Sequence, residues 1–235
     1  MKKMIIASTS TVYGSDYLDY ILPELQIFFK DVNEILFVPY AKPSGISYDE
    51  YTGIASKAFS KIDKKIVGIH KFDKPKNAIK NAKAIFIGGG NTFTLVNELY
   101  KNSLLPEIKK SVENGTLYFG TSAGSNITGI NIKTTNDMPI IYPPSFKTLG
   151  LIPFNINPHY LDPDPNSKHK GETRETRIKE FHTCNDIPVL GLREGSWLLI
   201  KGQIITLKGD LKARLFRKNE KPIELNSGII NIDKS

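Results

Sequence analysis

A single cysteine, Cys184, stands in 235 residues. One thiol makes no intramolecular disulfide and no thiolate-rich metal site, so Cys184 reads as a buried filler or a bystander. Long hydrophobic runs are also missing. No stretch approaches the ~20 apolar residues that cross a bilayer, and the opening Met1–Ser8 has too short an apolar core for a signal peptide despite Lys2 and Lys3. A cytoplasmic protein without a membrane partner is expected. Acidic residues are the minority, 24 against 32 Lys and Arg, for a formal charge of +8. Such a balance raises the question of nucleic acid or an anionic small molecule. The lysines are scattered, however: no helix carries a dense basic stripe, and no segment interleaves Lys or Arg with aromatics as a base-stacking platform needs. No nucleic-acid partner is expected. Repeats, low-complexity tracts and linkers are likewise lacking. With 40% hydrophobic and 24% charged residues, a single domain over residues 1–235 is the expectation. No heptad or long apolar stripe marks an oligomer, which leaves a monomer or a homodimer.

What is present is an alternation of short Ile/Val/Phe-rich runs with longer amphipathic segments, the pattern of a parallel sheet covered by helices. The candidate strands are Lys3–Ala7, Glu34–Pro39, Ile66–His70, Ala84–Gly88 and Leu117–Thr121. The candidate crossover helices are Ser15–Lys30, Tyr48–Ile62, Pro75–Asn81 and Phe93–Glu113, the last interrupted at Asn102-Ser103. Beyond Gly124 the rhythm changes. Ile132–Thr135 and Phe154–Pro158 suggest strands around a Pro-rich loop, Pro139–Pro144, and Thr173–Thr183 suggests a helix. Pro188–Gly191, Ser196–Ile200, Gln203–Leu207 and Ala213–Arg217 form a strand-rich closing section. The fold class predicted is therefore α/β: a doubly wound, mostly parallel sheet with helices on both faces and a short strand-rich C-terminal section. Ligands of such sheets bind at the carboxyl ends of the strands. Three segments fall there: the loop after Ile87, the turn at Ser122 and the stretch after Asn157.

Gly120-Thr121-Ser122-Ala123-Gly124 follows the strand ending at Thr121 and precedes a helical segment. This is the strand-to-helix elbow that exposes a nucleophilic serine. The glycines let strand and helix approach where a Cβ would clash, and the serine sits at a helix N-terminus, where backbone N–H groups favour an oxyanion. A second glycine cluster, Gly88-Gly89-Gly90-Asn91-Thr92-Phe93, ends another buried strand. It fails as a dinucleotide loop because Phe93 stands where the third glycine is required, and no Gly-Lys-Ser or Gly-Lys-Thr follows. In an acyl-transfer site, Gly89 or Gly90 would instead complete an oxyanion hole with the N–H of Ala123. The structural alternative is a strand-to-helix turn capped by Asn91 or Thr92.

A serine hydroxyl needs a base, and only four histidines exist. His70, ending an early strand, and His182, in a helical segment, read as structural. His159, in Asn155-Ile156-Asn157-Pro158-His159, follows a strand and a stiffening proline and is the best-placed base. His169 lies in a polar loop suited to touching substrate. Two carboxylates compete to orient the base. Asp137 comes only fifteen residues after Ser122, tight for the elements an acid loop needs, whereas Glu194 follows the strand Pro188–Gly191 between glycines. Glu194 is preferred and Asp137 stays open.

These residues, taken together, resemble the peptidase E family of α-aspartyl dipeptidases, which also includes the more distant cyanophycinases. The resemblance spans nearly the whole chain and rests on Gly88–Phe93, Gly120–Gly124, Thr134-Thr135-Asn136-Asp137-Met138-Pro139, Ile156–His159, His169-Lys170-Gly171-Glu172-Thr173-Arg174 and Gly191-Leu192-Arg193-Glu194-Gly195. It implies a fold similar to class I glutamine amidotransferases, with serine in place of their cysteine. It also implies hydrolysis of dipeptides carrying an N-terminal aspartate, with no metal and no cofactor. By motif, Ser122 would be the nucleophile, His159 the base, and Glu194 or Asp137 the acid. The sequence departs from the family at Thr121, where a large aromatic often precedes the serine, and in the acidic, Pro-rich Asp162-Pro163-Asp164-Pro165.

A small acidic dipeptide makes demands of its own. Its aspartyl carboxylate calls for a fixed cation, preferably a forked guanidinium. Arg174, one turn into the predicted helix, is the first candidate, with His169 as a second donor. The free amino terminus calls for a carboxylate, Glu172 or Asp137. Two other readings of the same residues are an exopeptidase acting on β-aspartyl-arginine, like cyanophycinase, and a non-catalytic sensor of a small acidic metabolite.

Overall fold

Met4 and Ile6 point to one side of strand β1 (Lys3–Ala7) and Ile5 and Ala7 to the other, and all four are fully buried. Only a strand covered on both faces permits this. The structure, a computed structural model, describes residues 1–164, 166, 168 and 171–232. After β1 come helix α1 (Leu22–Phe28), β2 (Glu34–Val38), α2 (Tyr48–Ser60), β3 (Lys65–Gly68), α3 (Pro75–Asn81) and β4 (Ala84–Ile87). Then follow α4 (Thr92–Lys101), α5 (Leu105–Glu113), β5 (Leu117–Thr121), the single turn α6 (Ala123–Asn126), β6 (Asn155–Pro158) and α7 (Arg174–Cys184). Strands β7 (Val189–Leu192), β8 (Trp197–Lys201), β9 (Ile204–Lys208), β10 (Ala213–Phe216), β11 (Ile223–Leu225) and β12 (Gly228–Ile230) complete the order.

The main sheet has eight strands in the order β12-β9-β8-β1-β5-β4-β2-β3. From β1 through β5, β4 and β2 to β3 all pairings are parallel, and β8, β9 and β12 extend the sheet antiparallel from the other edge of β1. Helices α1 and α2 bury Leu22, Leu25, Tyr51 and Phe59 against one face. Helices α3, α4 and α5 bury Ile79, Leu95, Leu99 and Ile108 against the other. On that second face, at the β1 side, lies a four-stranded sheet in the order β11-β10-β7-β6, which contributes Ile156, Leu190, Leu192 and Leu215 to the same core.

The predicted α/β class therefore holds, with helices on both faces, and the C-terminal strands divide between two sheets. Several boundaries differ for local reasons. Helix α1 begins at Leu22 rather than Ser15, because Pro23 is tolerated only in a helix's first turn and Leu18 adopts a left-handed conformation just before it, at φ 64°. The break expected at Asn102-Ser103 within Phe93–Glu113 is present: Ser103 turns left-handed at φ 51°, and α5 restarts with Pro106 in its first turn. The expected strand Ile132–Thr135 is a turn closed by the Thr135 N–H on the Ile132 carbonyl. Cys184 is exposed at the end of α7, so it fills no core. Strands β11 and β12, three residues each, are too short to betray a period in sequence.

Candidate active site

Strands β1, β4 and β5 end together, and the loops leaving them carry the site. Ser122 follows β5 with φ 48° and ψ −106°, a conformation that non-glycine residues adopt only under constraint. The constraint is visible. The Ser122 N–H donates to the Ala7 carbonyl at 3.1 Å, and the Ser125 hydroxyl donates to the Ala7 and Gly120 carbonyls at 2.6 and 2.8 Å. The flanking glycines do the steric work the spacing predicts: a Cβ on Gly120 would lie 2.6 Å from the Gly124 carbonyl oxygen, and one on Gly124 would run into the Ile87 carbonyl. The helix behind Ser122 is one turn only, so any oxyanion stabilisation there rests on individual N–H groups rather than on a long helix dipole.

His159 follows β6 on the second sheet and Glu194 follows β7 beside it, the two strands running parallel with Pro158 opposite Leu192. The side chains form one chain of hydrogen bonds. His159 Nε2 lies 2.8 Å from Ser122 Oγ, and His159 Nδ1 lies 2.6 Å from Glu194 Oε1. A carboxylate only accepts, so the Nδ1 proton belongs to that contact and the Nε2 lone pair faces the serine hydroxyl. The pair is open to solvent, with the His159 and Glu194 side chains 37% and 52% exposed. Tyr20 stands close enough for the Glu194 carboxylate to add to the effect of burial, and together they push its phenol above the ordinary range.

Asp137 is not part of this chain. Its Oδ2 accepts the Thr92 N–H at 2.7 Å, at the start of α4, and the Thr135 hydroxyl at 3.1 Å. Asn91, as the glycine-loop alternative anticipated, caps α4 by accepting the Thr94 N–H at 3.0 Å. The two candidate oxyanion glycines separate. A Cβ on Gly89 would sit 3.1 Å from Ser122 Cβ, so this residue backs directly onto Ser122. Gly90 serves conformation, with φ 132° and space for a Cβ closed by the Ala41 carbonyl oxygen at 2.5 Å. The loop is held by the Tyr51 hydroxyl on the Gly89 carbonyl at 2.9 Å, and burial pushes that phenol up to about 12.

Arg174 is the first residue of α7 rather than one turn in, and Thr173 caps the helix by accepting the Thr176 N–H at 3.1 Å. Its guanidinium is half-buried and has no hydrogen-bond or ion-pair partner among the described residues. Burial and the neighbouring Arg177 hold it below the usual arginine range, and the charge of Asp137 works against them. Glu172 is exposed just before the helix. His169 lies outside the described residues. Among those residues no cluster of His, Cys, Asp and Glu could hold a metal ion, and no helix is long and apolar enough to cross a membrane.

Sequence reasoning missed the amide brace behind His159. Asn157 Nδ2 donates to the Thr134 carbonyl and to Asn136 Oδ1, each at 2.8 Å, and Asn136 Nδ2 donates to the Pro158 carbonyl at 2.6 Å. The Thr134–Asp137 motif thus serves to hold the backbone that delivers the imidazole. Arg193, next to Glu194, was missed as well. It grips Asp162 through two contacts of 2.7 Å and Glu224 through contacts of 2.9 and 3.0 Å, tying the loop after His159 to the loop of Glu194.

Known proteins resemble this chain over most of its length. The model of peptidase family S51 matches residues 4–208, a span that includes Ser122, His159 and Glu194. A peptidase E of Streptomyces coelicolor is 46% identical over 225 residues, covering 96% of this chain and 91% of that protein. A Drosophila melanogaster protein named "Probable alpha-aspartyl dipeptidase" is 44% identical, covering 92% of this chain and 90% of its own. Among solved structures, a peptidase from an acI-B1 Actinobacterium superimposes with a TM-score of 0.71 at 14% identity, covering 97% of this chain and 96% of that one. At that identity the likeness speaks for the fold.

Proposed function

This chain belongs to peptidase family S51, and from that membership we propose that it is a serine dipeptidase hydrolysing peptides with an N-terminal aspartate, acting through an aspartyl ester on Ser122. The observation that carries the reading is the unbroken chain Ser122 Oγ–His159 Nε2 at 2.8 Å and His159 Nδ1–Glu194 Oε1 at 2.6 Å.

The chemistry follows from that order. The Ser122 oxygen attacks the carbonyl carbon of the aspartyl residue while its proton passes to His159 Nε2, and Glu194 stabilises the imidazolium that results. The developing oxyanion is received by backbone N–H groups at Gly89 and Ala123. Collapse of the tetrahedral species breaks the C–N bond as His159 returns the proton to the leaving amine. Water, deprotonated by the same imidazole, then releases aspartate and restores Ser122. No metal or redox group enters these steps.

Substrate selection falls to Arg174 and Asp137. Arg174 offers an uncommitted guanidinium to the aspartyl side chain; His169, the sequence's second candidate donor, lies outside the described residues. Asp137, with Oδ2 engaged and Oδ1 left over, receives the free ammonium, and Glu172 is the weaker candidate because it stands exposed at the helix entrance. A cation and an anion that feel each other's charge suit a substrate that carries both charges on one residue. We assign the protein to the cytoplasm, where short peptides accumulate from protein turnover.

The test is a panel of Asp-Leu, Glu-Leu, Asn-Leu and β-aspartyl-arginine. Preferential turnover of Asp-Leu supports the reading. Turnover of the β-linked compound alone replaces it with an isopeptidase activity, and binding of aspartate without any turnover replaces it with a sensor.

A further inference from the structure

We propose that Ser8 is a positioning residue: its buried hydroxyl fastens the base and the acid, both carried on the second sheet, to the main sheet that carries the nucleophile. The proposal rests on the roles given above to Ser122, His159 and Glu194.

A hydroxyl has one proton to give and lone pairs to receive, and Ser8, fully buried at the end of β1, uses both. Its Oγ donates to the Leu192 carbonyl at 2.6 Å and accepts the His159 N–H at 2.9 Å. Leu192 ends β7, two residues before Glu194, and its carbonyl also accepts the Tyr160 N–H at 3.1 Å. Around the same point the Ser8 N–H donates to the Ser196 carbonyl at 3.0 Å, and the preceding Ala7 carbonyl accepts the Ser122 N–H at 3.1 Å. Ala7, which ends β1, and Ser8, the next residue, thus bond to the backbone of the nucleophile and the base and to backbone two residues to either side of the acid.

The need for such a fastening is physical. Ser122 and His159 stand on different sheets, and the 2.8 Å contact between them survives only if the sheets keep their spacing. His159 has a left-handed backbone at φ 51°, which an L-residue leaves unless it is held. Its imidazole, 37% exposed, is too open for packing alone to fix. The bond from its N–H to Ser8 Oγ is the anchor that spans the two sheets at that residue. Without the hydroxyl, the His159 N–H loses its partner, the Leu192 carbonyl keeps only Tyr160, and the base is free to swing from the nucleophile.

The test is Ser8→Ala, examined by crystallography and by steady-state kinetics on Asp-Leu beside wild type and Ile35→Val, a core change on β2 away from the site. The expected result is a fall in kcat on the order of 100-fold with KM unchanged, and a His159–Ser122 separation beyond about 3.5 Å. Ile35→Val keeps wild-type kcat. Wild-type geometry in Ser8→Ala, an undiminished kcat, a loss expressed in KM, or an equal loss in Ile35→Val each overturns the proposal. Should Ser8→Ala not fold, Ser8→Cys, which fills the space with a poor hydrogen-bonding group, carries the same expectation. If wild type fails to cleave Asp-Leu, the dipeptidase reading falls, and the crystallographic separation alone decides for or against Ser8.

Discussion

Glu194 Oε1 meets His159 Nδ1 at 2.6 Å, and the sequence's other candidate acid, Asp137, spends its Oδ2 on the Thr92 N–H at 2.7 Å instead. The two carboxylates therefore fail differently when neutralised. Glu194→Gln removes the charge that steadies the imidazolium and allows the wrong ring tautomer, so kcat falls by on the order of 10²–10⁴-fold with KM little changed. The effect stays toward the lower end because Glu194 is 52% exposed and water replaces part of its field. Asp137→Asn still accepts the Thr92 N–H but loses the charge facing the substrate ammonium, so KM rises about 10–100-fold. Steady-state kinetics on Asp-Leu separates the two. An undiminished kcat in Glu194→Gln would show that the acid lies elsewhere.

If Arg174 receives the aspartyl side chain as proposed, it controls which peptides are cleaved. Arg174→Met deletes the half-buried cation, and kcat/KM for Asp-Leu falls by on the order of 100-fold. Asn-Leu, lacking the second carboxylate, loses far less, so the preference for Asp-Leu over Asn-Leu shrinks. Competition assays with the two peptides measure that ratio. A ratio equal to wild type would remove Arg174 from recognition.

The Arg193 clamp gives stability a particular pH dependence. Hydrogen bonding from Arg193, helped by the positive charges of Arg193 and Arg214, holds the Asp162 carboxyl below the usual range, with partial burial working against it. A carboxylate with a depressed folded pKa contributes stability above its unfolded value of about 3.9 and loses it as pH falls through the folded value. Asp162 is 47% exposed, so screening limits its worth to about 1 kcal/mol at neutral pH. Asp162→Asn is accordingly less stable than wild type at pH 7, and the difference narrows below pH 4. Urea midpoints at both pH values measure it, and a difference that grew on acidification would contradict the account.

Much of this site was legible in the sequence because its parts are local. Gly120–Gly124 announces an elbow through steric rules that act over five residues, and Pro158 before His159 marks a stiffened strand end. Glu194 could be preferred over Asp137 because β7 is a fully apolar run followed by a glycine-flanked turn. The unread parts are long-range. Ser8 and His159 lie 151 positions apart, and nothing in Ala7-Ser8-Thr9 distinguishes a cross-sheet fastening from an ordinary strand end. The division of the C-terminal strands between two sheets was hidden for the same reason: alternation tells which residues are buried, not which neighbour buries them. Asp137 and Glu194 look alike in sequence, because a helix-starting carboxylate and a base-orienting one differ only in the hydrogen bonds they make.

Hydrolysis of Asp-Leu by wild type and by Ser122→Ala, each first shown to be folded, tests directly whether Ser122 is the nucleophile of an aspartyl dipeptidase. The account predicts turnover by wild type and a loss of ~10³-fold or more in kcat for Ser122→Ala. Equal turnover by the two proteins would contradict it.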